Sequence, residues 1–125
     1  MKKEDFEKTV EEALTNLPRQ FRERLENLVV LVEEYPSKEI QEKFGKTPLS
    51  TVLGLYHGVP FQHKGPYYGN MPPDVIIIYQ RPIENLCKTE QQVRERVYEV
   101  VLHEVGHYFG LTDRELREIE RSNRS

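Results

Sequence analysis

The side chains best suited to chemistry in this chain lie between positions 103 and 113, in the order His-Glu-Val-Gly-His-Tyr-Phe-Gly-Leu-Thr-Asp. His103 and His107 are four positions apart, so on a helix both imidazoles project from one face toward a single metal ion. Glu104 follows the first histidine, where its carboxylate can contact a water on that ion without binding the ion itself. This spacing predicts a metal site with a general base beside it.

These ligand types predict a zinc site of the open, catalytic kind. Two neutral imidazoles and a third protein ligand leave the fourth position of a tetrahedral Zn²⁺ to water. The ion lowers the pKa of the water to about 7 and polarises a substrate carbonyl, while the glutamate passes the proton to the leaving amine. We therefore expect one zinc ion per chain and hydrolysis of an amide, although iron, cobalt and nickel also accept these nitrogen and oxygen ligands.

The third ligand is predicted from the turn that follows the helix. Gly110 can adopt the left-handed conformation that ends a helix and turns the chain back. Asp113, ten residues after His103, would then return to the ion. The predicted metal ligands are therefore His103, His107 and Asp113, and the predicted catalytic residue is Glu104.

Other polar side chains are weaker candidates for this site. The two remaining histidines are expected to be solvated, at a strand end and in a loop: His57 and His63. Four tyrosines could each donate a hydrogen bond to the oxyanion on the scissile carbonyl, although tyrosine more often packs with its hydroxyl in water: Tyr56, Tyr67, Tyr68 and Tyr108. Three carboxylates are expected to be solvated caps or surface charges: Asp74, Glu115 and Glu118.

The helix that must carry the site is predicted to start at Thr89, in a capping box with Gln92, and to end at Phe109. Its valines recur at helical spacing, and Glu104 falls in the middle of their face. Burying a carboxylate without a partner is costly, and a nearby cation removes that cost, so the placement of Glu104 independently supports a metal site. Gly106 costs the helix about 1 kcal/mol relative to alanine, which predicts close approach of another backbone.

The rest of the chain predicts a small α+β domain. In chain order, the predicted elements are helices at 3–16 and from 18 onward, a strand at 28–32 covered on both faces, a helix at 37–45, strands at 51–57 and 74–80, a helical turn, the helix described above and a closing helix at 113–120. A loop rich in glycine and proline fills 58–73. We expect one domain over residues 1–125, with about three strands packed on the active-site helix and additional N-terminal helices.

The composition excludes several classes of partner. Of the 125 residues, 31% are charged and 37% hydrophobic, and the net charge is −3 with both signs interspersed. This distribution gives no sustained basic field, so we expect neither nucleic acid nor a membrane as partner. The single cysteine, Cys87, excludes an internal disulfide, and no apolar segment of a secretory signal follows the N-terminal charges. We expect a cytoplasmic protein.

Two parts of the chain resemble a known family. The predicted second strand and the start of the loop after it carry Gly54-x-Tyr56-x-Gly58-x-Pro60, and the segment at 103–113 has the form H-E-x-x-H-x-x-G-x-x-D. Over nearly the whole chain, the sequence resembles the minimal zincin-like metallopeptidases, a small prokaryotic family likened to a stripped matrix-metalloprotease domain. The resemblance implies a peptide or protein substrate, zinc as cofactor, and the ligand and base assignments His103, His107, Asp113 and Glu104.

The chain departs from the related metzincin pattern H-E-x-x-H-x-x-G-x-x-H. Asp113 stands where metzincins have histidine, which adds a negative charge and weakens the ion as a Lewis acid. Met1 and Met71 both precede the helix, so no methionine turn follows it. Only twelve residues follow Asp113, too few for the lower wall of a protease cleft. Peptide binding would then depend on the second strand and the 58–73 loop, and we expect weak or narrowly directed proteolysis.

Three functions remain open on the sequence alone, with a zinc-dependent peptidase as the leading hypothesis. A metal-dependent hydrolase of another substrate, such as an amidase or a ribonuclease, would use the same site, although only a modest arginine cluster follows it. A non-enzymatic metal-binding module whose strand edge pairs with a partner is the third. Because metal ligands must be deprotonated, a site of two histidines and an aspartate is expected to lose metal below about pH 6.

Overall fold

The computed structural model of the chain describes residues 1–25, 27–45, 52–58 and 74–124. Within these ranges the elements, in chain order, are α1 (Lys3–Thr15), α2 (Arg19–Arg22), β1 (Leu28–Glu33), α3 (Lys38–Phe44), β2 (Gly54–His57), β3 (Asp74–Tyr79), α4 (Gln80–Asn85), α5 (Glu90–Tyr108) and α6 (Asp113–Arg124). The predicted α+β class and element order are confirmed. The predicted 58–73 loop falls almost wholly outside the described residues.

Within the described residues the sheet has three strands in the order β1-β3-β2. β1 runs parallel to β3, and β2 runs antiparallel to it. β1 therefore lies at one end of the sheet, and its outward-facing Val29 and Leu31 are 38% and 47% exposed. The expectation that this strand is covered on both faces was wrong: alternate side chains are exposed, and a continuous apolar run does not reveal whether both faces of a strand are packed.

Helix α5 is the centre of the fold and packs against α1, α4, α6 and the strands β2 and β3. The valines predicted to share one face are buried: Val93, Val97, Val100, Val101 and Val105. On the other side Leu102 is buried, and Phe109 stacks on Phe21 with ring centroids 5.3 Å apart. The prediction that this helix is packed on two sides is confirmed. No helix in the described ranges is both long and apolar enough to cross a bilayer.

Side-chain caps fix where two of the helices begin, largely as predicted. The Ser37 hydroxyl accepts a hydrogen bond from the Ile40 amide and starts α3, while Thr89 accepts one from the Gln92 amide and starts α5. In the expected capping box, the Gln92 side chain would accept a hydrogen bond from the Thr89 amide. It accepts instead from the amide of the preceding residue, Lys88. The second helix ends at Arg22, and Asn27, which precedes β1, has a positive φ of 51°.

Candidate metal centre

The C-terminal half of α5 brings together the three side chains with which the sequence argument began. His103 and His107 lie on one face with ring centroids 4.4 Å apart, as their spacing predicts. One potential ligand atom from each of these histidines and one from Glu104 lie within 4.8 Å of one another. The group is therefore compact enough to surround a single cation.

The chain reverses direction immediately after α5. Gly110 has φ = 75°, the left-handed conformation expected of it. The Leu111 amide donates to the Gly106 carbonyl at 2.9 Å, and the Gly110 amide donates to the His107 carbonyl at 2.9 Å. These two bonds form a Schellman motif, which satisfies the last carbonyls of the helix and directs the chain back toward the histidines.

A capping box then places Asp113 at the first position of α6. The Thr112 hydroxyl accepts from the Glu115 amide at 3.2 Å, and the Glu115 carboxylate accepts from the Thr112 amide at 3.2 Å. The expectation that Glu115 is a cap is thus confirmed, but its connection to Asp113 was missed. The pattern Thr-x-x-Glu at 112–115 is the signal that could have revealed it.

Asp113 faces both histidines across the turn. Its Oδ1 lies 3.5 Å from Nε2 of His103 and 3.8 Å from Nε2 of His107. Ligands that share one tetrahedral zinc ion, with bonds of about 2.1 Å, lie about 3.4 Å from one another. The two separations between Asp113 and the imidazole nitrogens are therefore close to those of zinc ligands, whereas the group of potential ligand atoms within 4.8 Å of one another includes Glu104 and not Asp113.

Glu104 is buried beside these groups, as predicted, and is only 6% exposed. Its Oε1 lies 3.3 Å from Nδ1 of His107, which donates a hydrogen bond to it when protonated. No lysine or arginine within the described ranges forms an ion pair with it. The hydrogen bond with Glu104 raises the pKa of His107 above 6.5, against the lowering effect of burial. With Nδ1 of His107 next to Glu104, its other ring nitrogen, Nε2, lies 3.8 Å from Asp113.

Gly106 has a different role from the one expected. A Cβ atom at this position would lie 2.3 Å from Cδ2 of Leu116, so the neighbour is a side chain of α6. The predicted close approach of another backbone was wrong, because a missing side chain indicates crowding without indicating its source. Gly106 allows α6 to pack against α5 near the histidines.

A cleft of about 610 Å³ opens from this group of residues. It is bounded by α5, by the residues of β2 and by Phe44 of α3. Gly54 brings β2 close to α5, since a Cβ there would lie 2.7 Å from Cγ1 of Val100 and 3.2 Å from Cγ of Glu104. Arg96 and Glu99, which were not among the predicted site residues, line the same cleft. Helical spacing backward from His103 could have identified both.

The other polar candidates lie apart from this group or are engaged elsewhere. His57 is exposed at the end of β2, as expected, whereas His63, Tyr67 and Tyr68 lie outside the described residues. The Tyr56 hydroxyl donates to Asp74 at 3.0 Å, and Tyr108 is fully buried, so neither supports the oxyanion role considered above. Asp74 is itself buried, which corrects the expectation that it is solvated. Glu118 is an exposed surface charge within 3.7 Å of Arg114.

Comparison with known proteins agrees with this description. The sequence pattern of a family described as zincin-like metallopeptidase matches residues 25–123. A solved structure described as a conserved hypothetical protein from Thermo thermophilus is similar in fold, with a TM-score of 0.57 and 21% identity over 87% of this chain and 94% of that one. No curated protein matches the chain. Because the family pattern spans most of the sequence, including the whole metal centre, the chain belongs to the zincin-like metallopeptidase family.

Proposed function

We propose that this protein is a zinc-dependent peptidase in which Glu104 is the general base. The observation that carries the proposal is the burial of the Glu104 carboxylate beside two histidines whose Nε2 atoms face Asp113. A carboxylate beside a zinc-bound histidine can orient the imidazole in any zinc site, but the Glu104 side chain also lines the open cleft. A hydrolytic site needs a carboxylate there, because a base must remove a proton from the attacking water.

His103, His107 and Asp113 would hold the zinc ion. When bound, zinc supplies a Lewis acid that lowers the pKa of a water to about 7 and polarises the substrate carbonyl. The carboxylate of Asp113 reduces the net charge of the centre relative to a third histidine, so the Lewis acid is weaker. The weaker Lewis acid supports a modest catalytic rate and a requirement for precise positioning of the substrate.

Glu104 would accept the proton of the attacking water and deliver it to the leaving amine. Glu104 is only 6% exposed, and Val100 and Val101, about one helical turn before it, are buried, so its carboxylate interacts more strongly with a nearby positive charge than it would in water. Gly54 limits the room beside the Glu104 side chain and so restricts its movement. The base is therefore held in position by packing.

A peptide substrate is supported by the position of β2 at the end of the sheet beside the cleft. An extended peptide can lie along such a strand and form main-chain hydrogen bonds with it. The described surface shows no basic stripe along this cleft, which contains Arg96 but also the carboxylates of Glu99 and Glu104. A peptide therefore fits the site better than RNA does.

The test compares zinc-loaded wild type with Glu104→Gln on a fluorogenic peptide library, with structured RNA assayed in parallel. We expect chelator-sensitive peptide cleavage that falls by a factor of about 100 or more in the variant, since general base catalysis contributes about 10²–10⁴-fold. Zinc content should stay at one per chain in both proteins. Glu95→Gln, an exposed substitution on the same helix that hydrogen-bonds Gln91, is the matched control and should keep full activity.

Peptide cleavage that survives in Glu104→Gln would contradict the proposal. Cleavage of RNA without cleavage of peptides would favour a metal-dependent hydrolase of another substrate. Bound zinc with neither activity would favour the metal-binding interaction module.

A further inference from the structure

The cleft extends from the metal centre along α5 to a pair of opposite charges. Arg96, Val100, His103 and His107 follow one another at helical spacing on the face of α5 that lines it. Arg96 precedes His103 by seven residues, which corresponds to about 10 Å along the helix axis. An extended peptide covers that distance in about three residues.

The wall between these two ends is apolar. Phe44, Val52, Leu53 and Val100 line it, and Phe44 is 46% exposed. Substrate residues between the scissile bond and the far end would therefore contact hydrocarbon surface. Among the described residues that line the cleft, charged partners for a polar group on the substrate lie at the metal centre and at the far end.

Arg96 is the side chain at the far end best placed to accept a ligand. Within the described ranges its guanidinium forms one ion pair, of 3.5 Å between Nη1 and Oε2 of Glu99, and no hydrogen bond, and its charge also acts on the thiol of Cys87. Glu99 has interactions in addition to this contact. A guanidinium carries five donors in a planar fork that matches a carboxylate, so Arg96 can bind a carboxylate while remaining next to Glu99.

We propose that Arg96 selects substrates that carry a carboxylate about three residues from the scissile bond, with apolar residues between. The carboxylate is the C-terminus of a short peptide or an aspartate or glutamate side chain. This inference rests on the proposed peptidase function, and Arg96 acts in it as a specificity-determining residue. The reaction at the metal centre is unchanged.

The test measures peptide binding by calorimetry to zinc-loaded Glu104→Gln, which keeps the predicted ligands and does not turn over. The probes are the acetylated tetrapeptide Ala-Leu-Ala-Ala with a free C-terminus, the same peptide as its amide, and amides in which the last residue is Asp or Lys. We expect the two carboxylate probes to bind about 10-fold more tightly than the neutral amide, in line with a charge-assisted hydrogen bond. If only one carboxylate probe gains affinity, that probe identifies the source of the carboxylate.

Arg96→Gln should remove the preference, and Arg96→Glu should transfer it to the lysine probe. The matched control is Arg94→Gln, because Arg94 lies on the same helix, is 44% exposed against 43% for Arg96, and is outside the cleft. A carboxylate preference that persists in Arg96→Gln, or equal binding of all four probes to the protein with Arg96, would overturn the inference. If no probe binds and wild type cleaves no peptide, the peptidase proposal itself fails.

Discussion

Leu116 of α6 lies directly against the backbone of Gly106 in α5, so closely that a methyl group on Gly106 would come within 2.3 Å of its Cδ2. Leu116 is buried, and it follows Asp113 by one helical turn. The contact therefore sets the position of α6 relative to the histidines. Through that helix it sets the distance between Asp113 and the other two predicted ligands.

Gly106→Ala is expected to lower zinc affinity by a factor of about 10–100, the range found when groups that orient metal ligands are changed. The added methyl group must displace Leu116 and the start of α6, which moves Asp113 away from His103 and His107. A titration against a competing zinc chelator measures the effect. In a Leu116→Ala background the same substitution should cost little, because the space is already open, and an equal loss in both backgrounds would contradict this explanation.

Gly54→Ala is expected to reduce kcat while leaving zinc content at one per chain. The new methyl group would meet Cγ1 of Val100 at 2.7 Å and Cγ of Glu104 at 3.2 Å, so the base must move or β2 must shift. Overpacking of this kind also costs about 1–3 kcal/mol of stability. Steady-state kinetics and metal analysis separate the two effects, and Val100→Ala should partly restore kcat. Unchanged kcat with normal stability would show that the close contact is not needed.

Raising the pH through the range above 6.5 is expected to increase the stabilisation that zinc provides. The His107 pKa is raised mainly by its hydrogen bond with Glu104, with further contributions from the charges of Glu104 and Asp113, against the opposing effect of burial. In the metal-free protein the protonated form stabilises the fold at low pH, and this contribution is lost as the pH passes the raised pKa. Zinc binds the neutral imidazole, so the stability that zinc adds to the fold increases as the pH rises through the same range.

The corresponding measurement is the difference in Tm between zinc-loaded and metal-free protein, together with zinc content, from about pH 5 to about pH 8. The difference should approach zero at the acid end, where zinc is released, and grow steadily above it. His57→Ala, at an exposed position at the end of β2, should give the same profile as wild type. Full zinc occupancy at about pH 5 would count against a ligand set of two histidines and an aspartate.

Most of the metal centre could be predicted from sequence because its parts are local. Helical spacing places His103 and His107 together, and the glycine at 110 predicts the reversal that follows. The same local rules placed Glu104 on the buried face of the helix. Each of these features depends on residues that lie within one helical turn of each other or in the same helix cap.

The features that were missed or wrong depend on contacts between distant elements. The partner of Gly106 on α6, the approach of Gly54 to α5 and the edge position of β1 all follow from how elements pack, which periodicity does not encode. The helix that carries Phe44 was predicted, but the contact of Phe44 with the cleft was not. Local sequence patterns predicted the helices and strands, but not which of their surfaces pack against one another.

Anomalous scattering at the zinc edge, from a crystal of protein purified without chelator, tests the zinc site most directly. We predict one peak per chain, about 2.0–2.2 Å from Nε2 of His103, Nε2 of His107 and a carboxylate oxygen of Asp113. A crystal of fully folded protein with no peak between these residues would contradict the site. A zinc ion bound by both histidines but out of reach of Asp113 would contradict the ligand assignment.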